Sequence, residues 1–437
     1  MFLYTEQVDK YFSFEVFMKF YRKLSSSEDK KRVRINMYGY YLELREKLEK
    51  GTYKPLKFKC FYVTYPNPRE IFSPAFSDRI IHHLLVSILY PITETFIFDS
   101  YANREGKGTH KAIERLQYFM RQIPQKDCYA FQCDIENYFI SINKHIVFKL
   151  LFKHIEMLGL NQKDKAFVVF LLNRIVLQDI RKESILSGDI SKKSLLPHHK
   201  SLFNQENHKG ITAGALINQF ISMVYLNEVD WYIKNQLKIK YYIRYVDDFI
   251  FIDNTTKNFD KLKQDLSLFL EKELGLALHP KKFKIQNVSK GIDYLGYIVR
   301  PHYILVRKRT ISTLKEKLRF FNWLVNPKIY DSKKVKKIFE RNSISKQFRN
   351  NEIKEGVKLD LQVIIQMLQT INSYYGILCK ANTYNLRVFL YEKYFENLKD
   401  NGFTTPPQVM PEYCKDENTV NAYRNYYKLE KQNLPKI

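Results

Sequence analysis

The sequence predicts an α+β protein too long for one small domain, on three observations. The first fifty residues place apolar side chains at helical spacing, as in FEVFMKFYRKL and GYYLELREKLEKG. The middle of the chain alternates short apolar, strand-like runs with helical stretches, which is typical of the α/β and α+β classes. A chain of 437 residues with 45% apolar content can bury a large core, which excludes wholesale disorder.

The expected elements follow one another along the chain. Gly51 and Pro55 end the N-terminal helical pattern. Two strand-like runs come next, FKCFYVTYP and REIFSPAF, and then two helical ones, SDRIIHHLLVSILYPITETF, which is broken by Pro91, and KGTHKAIERLQYFMRQI. YAFQCDIENYFISI predicts a strand that runs into a turn, and NKHIVFKLLFKHIEML and ALINQFISMVYLNEVDWYIKNQL predict helices. KYYIRYVDDFIFID predicts a hairpin with a short acidic turn, and the polar residues 183–209 predict a loop.

The composition is strongly basic. The chain carries 72 Lys and Arg against 46 Asp and Glu, a formal charge of +26 and a pI near 9.5. Such an excess suits a partner covered in phosphates, because each neutralised phosphate releases a counterion, although a surface that serves only solubility fits the composition equally well. An anionic membrane surface is a third alternative, but no long apolar run supports insertion, and we expect no membrane partner.

The cysteines and the N-terminus indicate a reducing, cytoplasmic location. The cysteines are scattered and include no CxxC pair, which predicts neither a zinc site nor a disulfide framework. They are Cys60, Cys128, Cys133, Cys379 and Cys414. The opening MFLYTEQVDKYF carries Glu6 and Asp9 and lacks the basic and then apolar pattern of a signal peptide.

Carboxylates at two points of the chain form the sharpest local signal. Asp247 and Asp248 are adjacent within an otherwise apolar hairpin, where unpaired carboxylates against a core would be costly. Asp134 ends a predicted strand, again after apolar residues. Each feature alone also fits a structural role, a capped turn for the pair and a plain strand end for Asp134. Together they fit nucleotidyl transfer, in which carboxylates from separate segments hold two divalent ions.

Seven motifs in order resemble the core of the bacterial reverse transcriptases. They are PREIFSPAFSDRIIHHLL, FDSYANREGKGTHKAIERL, FQCDIENYF, GITAGALINQF, IRYVDDFIFID, LHPKKFKI and YLGYIV. The resemblance implies a right-hand polymerase fold with fingers, a palm that has an antiparallel sheet and a catalytic YVDD hairpin, and a helical thumb. The implied domains are an N-terminal helical extension at 1–55, fingers at 56–125, a palm at 126–305 with an insertion at about 183–209, and a helical thumb with a C-terminal tail at 306–437.

The same resemblance implies an RNA-directed DNA polymerase with defined catalytic positions. Asp134 and Asp247 match the two metal-ligating aspartates, Asp248 matches a third carboxylate, and Ile135 would offer its backbone carbonyl to a metal. The expected cofactors are two Mg²⁺ ions, with Mn²⁺ able to substitute. Lys282 matches the lysine proposed in polymerases to protonate departing pyrophosphate, although a phosphate contact fits it equally well.

Four residues match positions that bind the incoming deoxynucleotide. Arg69 and Arg79 match fingers residues that grip the triphosphate, with a surface salt bridge as the structural alternative for each. Phe139, five residues after Asp134, matches the bulky side chain that excludes a 2′-hydroxyl, although core packing is a serious alternative. Gln219 matches a position on the helix that supports the template and the nucleotide.

Nucleic-acid contacts are implied at three further places. Arg104 and Lys107 lie in the glycine-rich run REGKG, whose backbone can approach a strand closely. Tyr294 and Gly296, in YLGYIV, match the hairpin that grips the primer. Residues 301–360 carry 16 Lys and Arg against 6 Asp and Glu and would give the thumb a basic face. The basic residues that open this stretch are Arg307, Lys308 and Arg309.

The expected partners are RNA, a DNA product strand and deoxynucleotides. The phrases SYANREGKGTHKAIERLQ, LPHHKSLF and GYIVRPHYILVRKR are similar to those of diversity-generating retroelement enzymes and of defence-associated reverse transcriptases. The retroelement enzymes usually carry Gly-x-x-x-Ser-Gln, whereas this chain has Asn218 between Gly214 and Gln219, in place of the serine. The departure favours bacterial antiphage defence with a cognate non-coding RNA over mutagenic retrohoming. A homo-oligomer or an accessory protein fits either role.

Two other functions stay open at this point. A catalytically silent RNA-binding scaffold could keep the fold, but it would have no need of the intact acidic constellation and Lys282. DNA synthesis without a template, or with an unusual one, is compatible with the altered motif at Asn218. The sequence does not identify the primer, the template or the role of the first fifty residues.

Overall fold

The computed structural model describes residues 3–24, 28–64, 67–212, 214–325, 361–395 and 398. By packing, the chain divides into two compact units. Unit 1 comprises Met1–Arg115 and Gln122–Asn287, and unit 2 comprises Leu116–Arg121 and the chain from Val288. Within the described ranges, we find no helix that is both long and apolar enough to cross a membrane.

Helices form most of the described chain. The N-terminal ones are α1 Thr5–Tyr11, α2 Phe14–Lys23, α3 Glu28–Ile35 and α4 Met37–Glu49. They confirm the helical prediction for the first fifty residues. The helices that follow are α5 Phe76–Leu89, α6 Thr109–Met120, α7 Tyr138–Ser141, α8 Lys144–Met157, α9 Gln162–Val176, α10 Leu216–Trp231, α11 Asn258–Leu274, α12 Lys308–Val325, α13 Leu361–Leu378 and α14 Tyr384–Tyr394.

Local chemistry explains where several helices begin and end. At the start of α2, Ser13 Oγ accepts a hydrogen bond from Val16 N at 3.3 Å. At the start of α4, Asn36 Oδ1 accepts one from Gly39 N at 3.1 Å. The predicted break at Pro91 is confirmed, because α5 gives way to a short 3₁₀ turn that has the proline at its start.

The described strands form three sheets. They are β1 Phe58–Val63, β2 Arg69–Ser73, β3 Tyr129–Asp134, β4 Ser184–Leu186, β5 Tyr242–Tyr245, β6 Asp248–Asp253, β7 Lys284–Asn287, β8 Ile292–Tyr294, β9 Tyr297–Val299 and β10 Ile304–Val306. The strand orders are β2-β1-β4, β5-β6-β3-β7 and β10-β9-β8. Every neighbouring pair is antiparallel except β1 with β4. These mixed helices and sheets confirm the α+β prediction.

The four-stranded sheet of unit 1 contains the predicted acidic hairpin. A two-residue turn, Val246–Asp247, joins β5 to β6, and β3 pairs with β6 so that Asp134 lies opposite Asp248. Behind this edge, Phe131 and Phe251 are almost fully buried, and their ring centroids lie 5.7 Å apart. The acidic end of the sheet is therefore attached to a tightly packed aromatic core.

The N-terminal helices belong to the core of unit 1. Tyr21 of α2 meets Phe76 of α5 edge-on, with ring centroids 6.0 Å apart, and Phe20 stacks on His83 at 5.5 Å. On α9, Asp164 accepts hydrogen bonds from two side chains of α1, at 2.5 and 2.9 Å. These helices are thus packed into the same unit as the sheet and are not a separate appendage.

The stretch predicted as a loop at 183–209 contributes a strand. Its β4 pairs parallel with β1, and much of the remainder forms short 3₁₀ turns, so the loop prediction is wrong for 184–186. Both apolar side chains of β4 are exposed, and the strand therefore depends on its pairing partner instead of an apolar pattern of its own. Glu70 of β2 also holds this stretch, accepting a hydrogen bond from Ser201 Oγ at 2.5 Å.

Unit 2 contains the third sheet and the described C-terminal helices. A tight turn joins β8 to β9, with φ of +49° at Leu295 and +95° at Gly296. Asn382, between α13 and α14, is tied to β10: its Oδ1 accepts from Ile304 N at 2.9 Å, and its N donates to Ile304 O at 2.8 Å. The described part of the expected thumb is helical.

The expected domain limits stay predictions. We expected the palm to continue to residue 305, whereas residues 288–305 pack with unit 2. Of the expected thumb and tail, residues 326–360 and 399–437 lie outside the described residues, and so does most of the basic stretch at 301–360.

We predict that Phe17→Ala destabilises unit 1 as a whole. Phe17 is fully buried against Tyr41, and a phenylalanine truncated in a core costs about 3–5 kcal/mol. The chain has two tryptophans, so a Trp323→Phe background leaves Trp231 of α10 as the fluorescent probe of unit 1. Urea unfolding followed by that probe should show a lower midpoint.

Tyr38→Ala is the matched control for this prediction. Tyr38 lies on α4 but is 58% exposed, and its loss should change the free energy of unfolding by less than about 1 kcal/mol. An unchanged Trp231 transition in Phe17→Ala, with a separate early loss of helical circular dichroism, would show that the N-terminal helices fold independently.

Candidate active site

The turn between β5 and β6 places adjacent carboxylates at one edge of the four-stranded sheet. Tyr245 and Asp248 are the last paired residues, and Val246 and Asp247 form the turn between them. Val246 has φ of +56°, a left-handed conformation that is uncommon for a β-branched residue. Because Asp248 also pairs with Asp134, the sheet brings carboxylates from two distant segments to the same edge.

Backbone contacts hold the end of β3. His279 N donates to Asp134 O at 2.8 Å, and Glu136 N donates to Ala277 O at 2.8 Å, with the buried Ile135 between them. These bonds clamp the segment before the KKFK run against the end of β3. They leave Asp134 only 5% exposed.

The carboxylates of this edge interact strongly. Burial, together with the charges of Asp134 and Asp248, raises the pKa of Asp247 to about 7. Lys282 Nζ forms an ion pair with Asp134. Partial burial lowers the pKa of Lys282, but the hydrogen bond to Asp134 and the surrounding carboxylates outweigh it, and its pKa is raised. The cluster is therefore rich in negative charge and attracts cations.

The donor set fits divalent ions of the magnesium type. Mg²⁺ prefers oxygen ligands, and it is commonly held by one or two carboxylates together with substrate phosphates. No three His, Cys, Asp or Glu side chains converge as a ready-made metal cage in the described part of the chain. Asp134 nevertheless lies opposite Asp248 across the sheet, and its charge acts on Asp247, which matches the looser magnesium arrangement. A divalent cation would also relieve the repulsion that raises the pKa of Asp247.

A separate cleft gathers two of the predicted nucleotide-binding residues, Arg79 and Gln219. Its volume is about 400 Å³. Its other lining residues are Leu24, Phe61, Ile71, Phe72, Ser73, Pro74, His82, His83, Gly214, Ala215 and Leu216. Arg79 packs over the ring of Phe76 at 5.4 Å, and its buried Nε has no hydrogen-bond partner among the described residues. Arg69 is exposed at the start of β2 and does not line this cleft.

The segment that leads into α10 is held against the chain after β3. Gly210 N donates to Ile142 O at 2.8 Å, and Ile211 N donates to Phe139 O at 2.9 Å. Gly210 has φ of +91°, and a Cβ there would lie 2.2 Å from the side chain of Leu202, so a larger residue would be strained and would displace that leucine. The ring of Phe139 is half-buried and lies 5.2 Å from that of Tyr138. This position fits both the sugar gate and core packing, and the gate stays a prediction.

Asn218, a residue of α10, is hydrogen-bonded to the same segment. Its Nδ2 donates to Thr212 Oγ1 at 2.8 Å and to Thr212 O at 3.1 Å, and its side chain is buried. A serine hydroxyl is shorter and has one proton to donate, so it cannot make both bonds. The substitution that distinguishes this chain from the retroelement pattern therefore stabilises the segment immediately before Gln219.

Arg104 and Lys107 are engaged within their own loop. Arg104 donates to Ile97 O at 2.7 Å and to Ser100 Oγ at 2.8 Å. Lys107 Nζ donates to Phe98 O at 2.7 Å and lies 3.2 Å from the centroid of the Phe98 ring. Burial and then the charge of Arg104 lower the pKa of Lys107 to about 8. Both side chains thus stabilise the loop, and their contact with nucleic acid stays a prediction.

The predicted nucleic-acid residues of unit 2 differ in exposure. Tyr294 is buried in β8 opposite Tyr297, and Gly296 forms the adjacent turn. Arg307 forms an ion pair with Asp293. The exposed residues in the first turn of α12 are Lys308 and Arg309. Their roles on a primer or template also stay predictions.

Sequence reasoning missed a buried ion pair, Arg244 with Asp230, beneath the acidic turn. A signal was present, because Arg244 lies in the apolar run KYYIRY, and a buried arginine needs an acidic partner. The sequence does not identify that partner, since α10 offers Glu228 as well as Asp230. A hydrogen bond from the turn to α6, between Tyr245 and Thr109 at 3.3 Å, was also missed.

Comparison with known proteins decides the family. The protein-family model described as "Reverse transcriptase (RNA-dependent DNA polymerase)" matches residues 65–299, more than half of the chain. The chain belongs to the reverse transcriptase family. Its fold is accordingly the right-hand polymerase fold, and its enzyme class is that of the RNA-directed DNA polymerases, which are nucleotidyltransferases.

Relatives of this reverse transcriptase include two bacterial proteins. Protein YkfC of Escherichia coli (strain K12) is 25% identical over 316 residues, which cover 64% of this chain and 76% of YkfC. The group II intron-encoded protein LtrA of Lactococcus lactis subsp. cremoris is 21% identical over 426 residues, covering 79% of this chain and 65% of LtrA. The chain thus spans slightly less than two thirds of the length of LtrA.

Two telomerase structures share a weaker overall likeness with this reverse transcriptase. One is telomerase from Candida albicans in complex with a TWJ fragment of telomeric RNA, with 12% identity and a TM-score of 0.38, covering 74% of this chain and 58% of that one. The other is apo telomerase from Candida tropicalis truncated from its C-terminal domain, with 12% identity and a TM-score of 0.41. That match covers 57% of this chain and 55% of the telomerase chain.

We predict that Asn218→Ala weakens nucleotide binding more than it slows chemistry. The change removes both hydrogen bonds to Thr212 and loosens the segment beside Gln219. A lost hydrogen bond of about 1 kcal/mol corresponds to a rise of about fivefold in the KM for deoxynucleotide, with a smaller change in kcat. Steady-state primer extension on a homopolymer RNA template measures both constants.

Asn258→Ala provides the control for the Asn218 prediction. Asn258 starts α11, and its amide donates to Asp253 at the protein surface, at 3.1 Å. We expect its loss to leave KM unchanged. An unchanged KM in a folded Asn218→Ala variant would contradict the assignment of this segment to nucleotide binding.

Proposed function

We propose that the chain is an active RNA-directed DNA polymerase that adds deoxynucleotides to the 3′ end of a primer. The observation that carries the proposal is the convergence of Asp134 with Asp247 and Asp248 at one edge of the sheet. Holding like charges together is costly, and a silent RNA-binding scaffold gains nothing from it. In a reverse transcriptase, that arrangement suits two Mg²⁺ ions, for which Mn²⁺ can substitute.

The carboxylates and Lys282 divide the chemical work in this proposal. The bound ions would activate the attacking 3′-hydroxyl and steady the triphosphate. Asp134 and Asp247 are the principal ligands, Asp248 adds a third carboxylate, and Ile135 offers its carbonyl. Lys282 Nζ pairs with Asp134 and, as an ammonium at neutral pH, holds a proton that departing pyrophosphate can take.

The nucleotide is proposed to bind in the cleft that holds Arg79 and Gln219. Arg79 lines this cleft, and a guanidinium is a donor suited to phosphate oxygens; Arg69, exposed on β2, supplies a second guanidinium. Gln219 lies on α10 next to Asn218, whose side chain is hydrogen-bonded to Thr212, and there it would support the base. Phe139, beside the start of the same segment, would exclude a 2′-hydroxyl.

An RNA template and a DNA product are the proposed macromolecular partners. The net charge of +26 supports contact with phosphate backbones. The exposed Lys308 and Arg309, with Arg307 beside them, offer cations for such contacts on unit 2. Tyr294 and Gly296 would shape the primer-gripping hairpin, and Arg104 and Lys107 would present their loop to a strand.

We further propose that the enzyme serves bacterial antiphage defence in the cytoplasm, copying a cognate non-coding RNA. The similar segments fit this role and mutagenic retrohoming alike, and the Asn218 departure supports defence over retrohoming, which is the main alternative within the family. Synthesis without a template, or with an unusual one, is the other alternative, and Asn218 is the residue that favours it. Self-assembly or an accessory protein is compatible with each role.

We predict metal-dependent DNA synthesis by the purified protein. The protein, with the RNA that co-purifies, is given Mg²⁺ and labelled deoxynucleotides one at a time, and any product is sequenced. The double variant Asp247→Ala, Asp248→Ala should lose activity by about 10³-fold or more, because several kcal/mol of charge stabilisation depend on the ions. The product sequence identifies the template or its absence.

Asp253→Ala serves as the control for the double variant. Asp253 lies at the far end of β6, and its carboxylate binds Asn254 N and Asn258 at the surface. We expect this variant to keep wild-type activity. Product from the Asp247, Asp248 double variant would show that the active site has been misplaced, and no product from wild type with any RNA or metal would favour the scaffold.

We predict that protection against phage requires the same carboxylates. Cells that express the wild-type chain with its native flanking DNA should reduce plaque numbers for at least one phage of a broad panel. Cells with the Asp247→Ala, Asp248→Ala variant, at equal protein level, should show none of that reduction. Plaque numbers equal to those on cells without the protein, for every phage of the panel and with active enzyme present, would favour the retroelement role. That role is measured by the transfer of mutated template sequence into a target gene.

A further inference from the structure

A buried ion pair lies directly beneath the acidic turn. Arg244, in β5, is 3% exposed, and Asp230, near the end of α10, is fully buried. Arg244 Nε donates to Asp230 Oδ1 at 2.7 Å and Nη2 donates to Oδ2 at 2.5 Å, in a two-pronged arrangement. Tyr242 also donates its hydroxyl to Asp230 Oδ1, at 2.6 Å. The guanidinium is therefore held in one orientation.

The remaining arm of the guanidinium reaches the turn. Arg244 Nη1 donates to Val246 O at 3.0 Å. Val246 immediately precedes Asp247, and a left-handed conformation at a residue other than glycine costs about 1–3 kcal/mol. Such a conformation persists only where surrounding contacts hold it. The hydrogen bond from Arg244 is a contact of this kind, made from inside the sheet.

The main chain of Arg244 is held as firmly as its side chain. Its N donates to Asp99 O at 3.0 Å, and its O accepts from Tyr101 N at 3.0 Å. The carboxylate of Asp99 in turn binds Arg115 at 2.8 Å and Lys234 at 3.0 Å. Arg244 thus has little freedom to move away from the turn.

The charge balance of the pair indicates what the guanidinium contributes. Asp230 neutralises Arg244 at contact distance, so Arg244 is a weak counter-charge for the carboxylates of the turn. A buried ion pair is often no more stable than an apolar replacement of similar volume. What an apolar replacement cannot supply is a fixed donor aimed at Val246 O. The specific contribution of the pair is therefore geometric.

We propose that Arg244 and Asp230 are positioning residues of the polymerase. Asp230 orients the guanidinium, and the guanidinium holds the Val246 carbonyl, so that Asp247 and its neighbour Asp248 stay directed toward the end of β3. Neither residue of the pair contacts the reacting atoms. The inference rests on the proposed polymerase function, because it takes the turn to be the metal-binding turn.

The test replaces both members of the pair together. Asp230→Asn with Arg244→Gln removes two charges at once and leaves no unpaired buried charge, but it shortens the donor that reaches Val246. The control is Asp164→Asn, which also neutralises a buried carboxylate in an ion pair, with Lys10 at 2.5 Å, on the contact between α1 and α9. Each variant is assayed for kcat, for the KM of deoxynucleotide, for thermal stability and for Mn²⁺ affinity by calorimetry without nucleotide.

We expect the double variant to lose about 10- to 100-fold in kcat, as for one displaced charged hydrogen bond, while the KM changes by less than about twofold. Its Mn²⁺ affinity should fall by about tenfold, because the carboxylates are less well directed. Asp164→Asn should lower thermal stability and leave kcat and Mn²⁺ affinity unchanged. Arg244→Lys, which keeps the charge without the fork, should fall between wild type and the double variant.

A folded double variant with wild-type kcat and Mn²⁺ affinity would overturn the proposal. A loss of stability alone, as in the control, would overturn it equally, since it assigns the pair a purely structural role. If wild type itself makes no DNA, the proposed function fails, and the Mn²⁺ comparison still decides whether the pair directs the carboxylates. If the double variant does not fold, Arg244→Lys carries the same comparison against the control.

Discussion

Like charges held together at one edge of the four-stranded sheet are the constraint on which the rest of unit 1 depends. Asp134, Asp247 and Asp248 repel one another, and burial with this repulsion raises the pKa of Asp247 to about 7. A loose turn would let the carboxylates separate, so their convergence requires a stiff frame. The pairing of β3 with β6 holds Asp134 opposite Asp248. The ion pair of Arg244 with Asp230 orients the guanidinium that binds the Val246 carbonyl in the turn.

The frame extends through most of unit 1. A single cluster of buried apolar residues runs from Val8 in α1 to Leu276 after α11 and includes the aromatic residues behind the acidic edge. The N-terminal helices therefore support the same core as the sheet, although nothing in them matches a catalytic motif. Tyr21 of α2 packs on Phe76 of α5 within this core, and in a close-packed interior strain is transmitted between neighbours.

Elements with local signals could be predicted, and those that depend on distant partners could not. The hairpin around Asp247 could be predicted because apolar residues flank two adjacent carboxylates. The helices could be predicted from the spacing of their apolar residues. By contrast, β4 is a strand only because β1 pairs with it. Arg104 looks exposed in a glycine-rich run, yet it folds back onto carbonyl groups of its own loop. Whether a cation faces solvent or the protein is decided by contacts that sequence spacing does not encode.

The cleft that we propose for the nucleotide depends on a different set of contacts from the carboxylates. Glu70 of β2 holds the insertion through Ser201, and Leu202 of the insertion packs closely on Gly210, where a Cβ would displace the leucine side chain. Gly210 lies at the start of the segment that leads into α10. Asn218, immediately before Gln219, holds that segment through its hydrogen bond to Thr212. Because β2 also contributes a wall of the cleft, the insertion connects that wall to α10. If the cleft binds the nucleotide as proposed, changes in the insertion would alter nucleotide binding, while the sheet would keep the carboxylates in place. Nucleotide binding and chemistry could then vary separately on this fold.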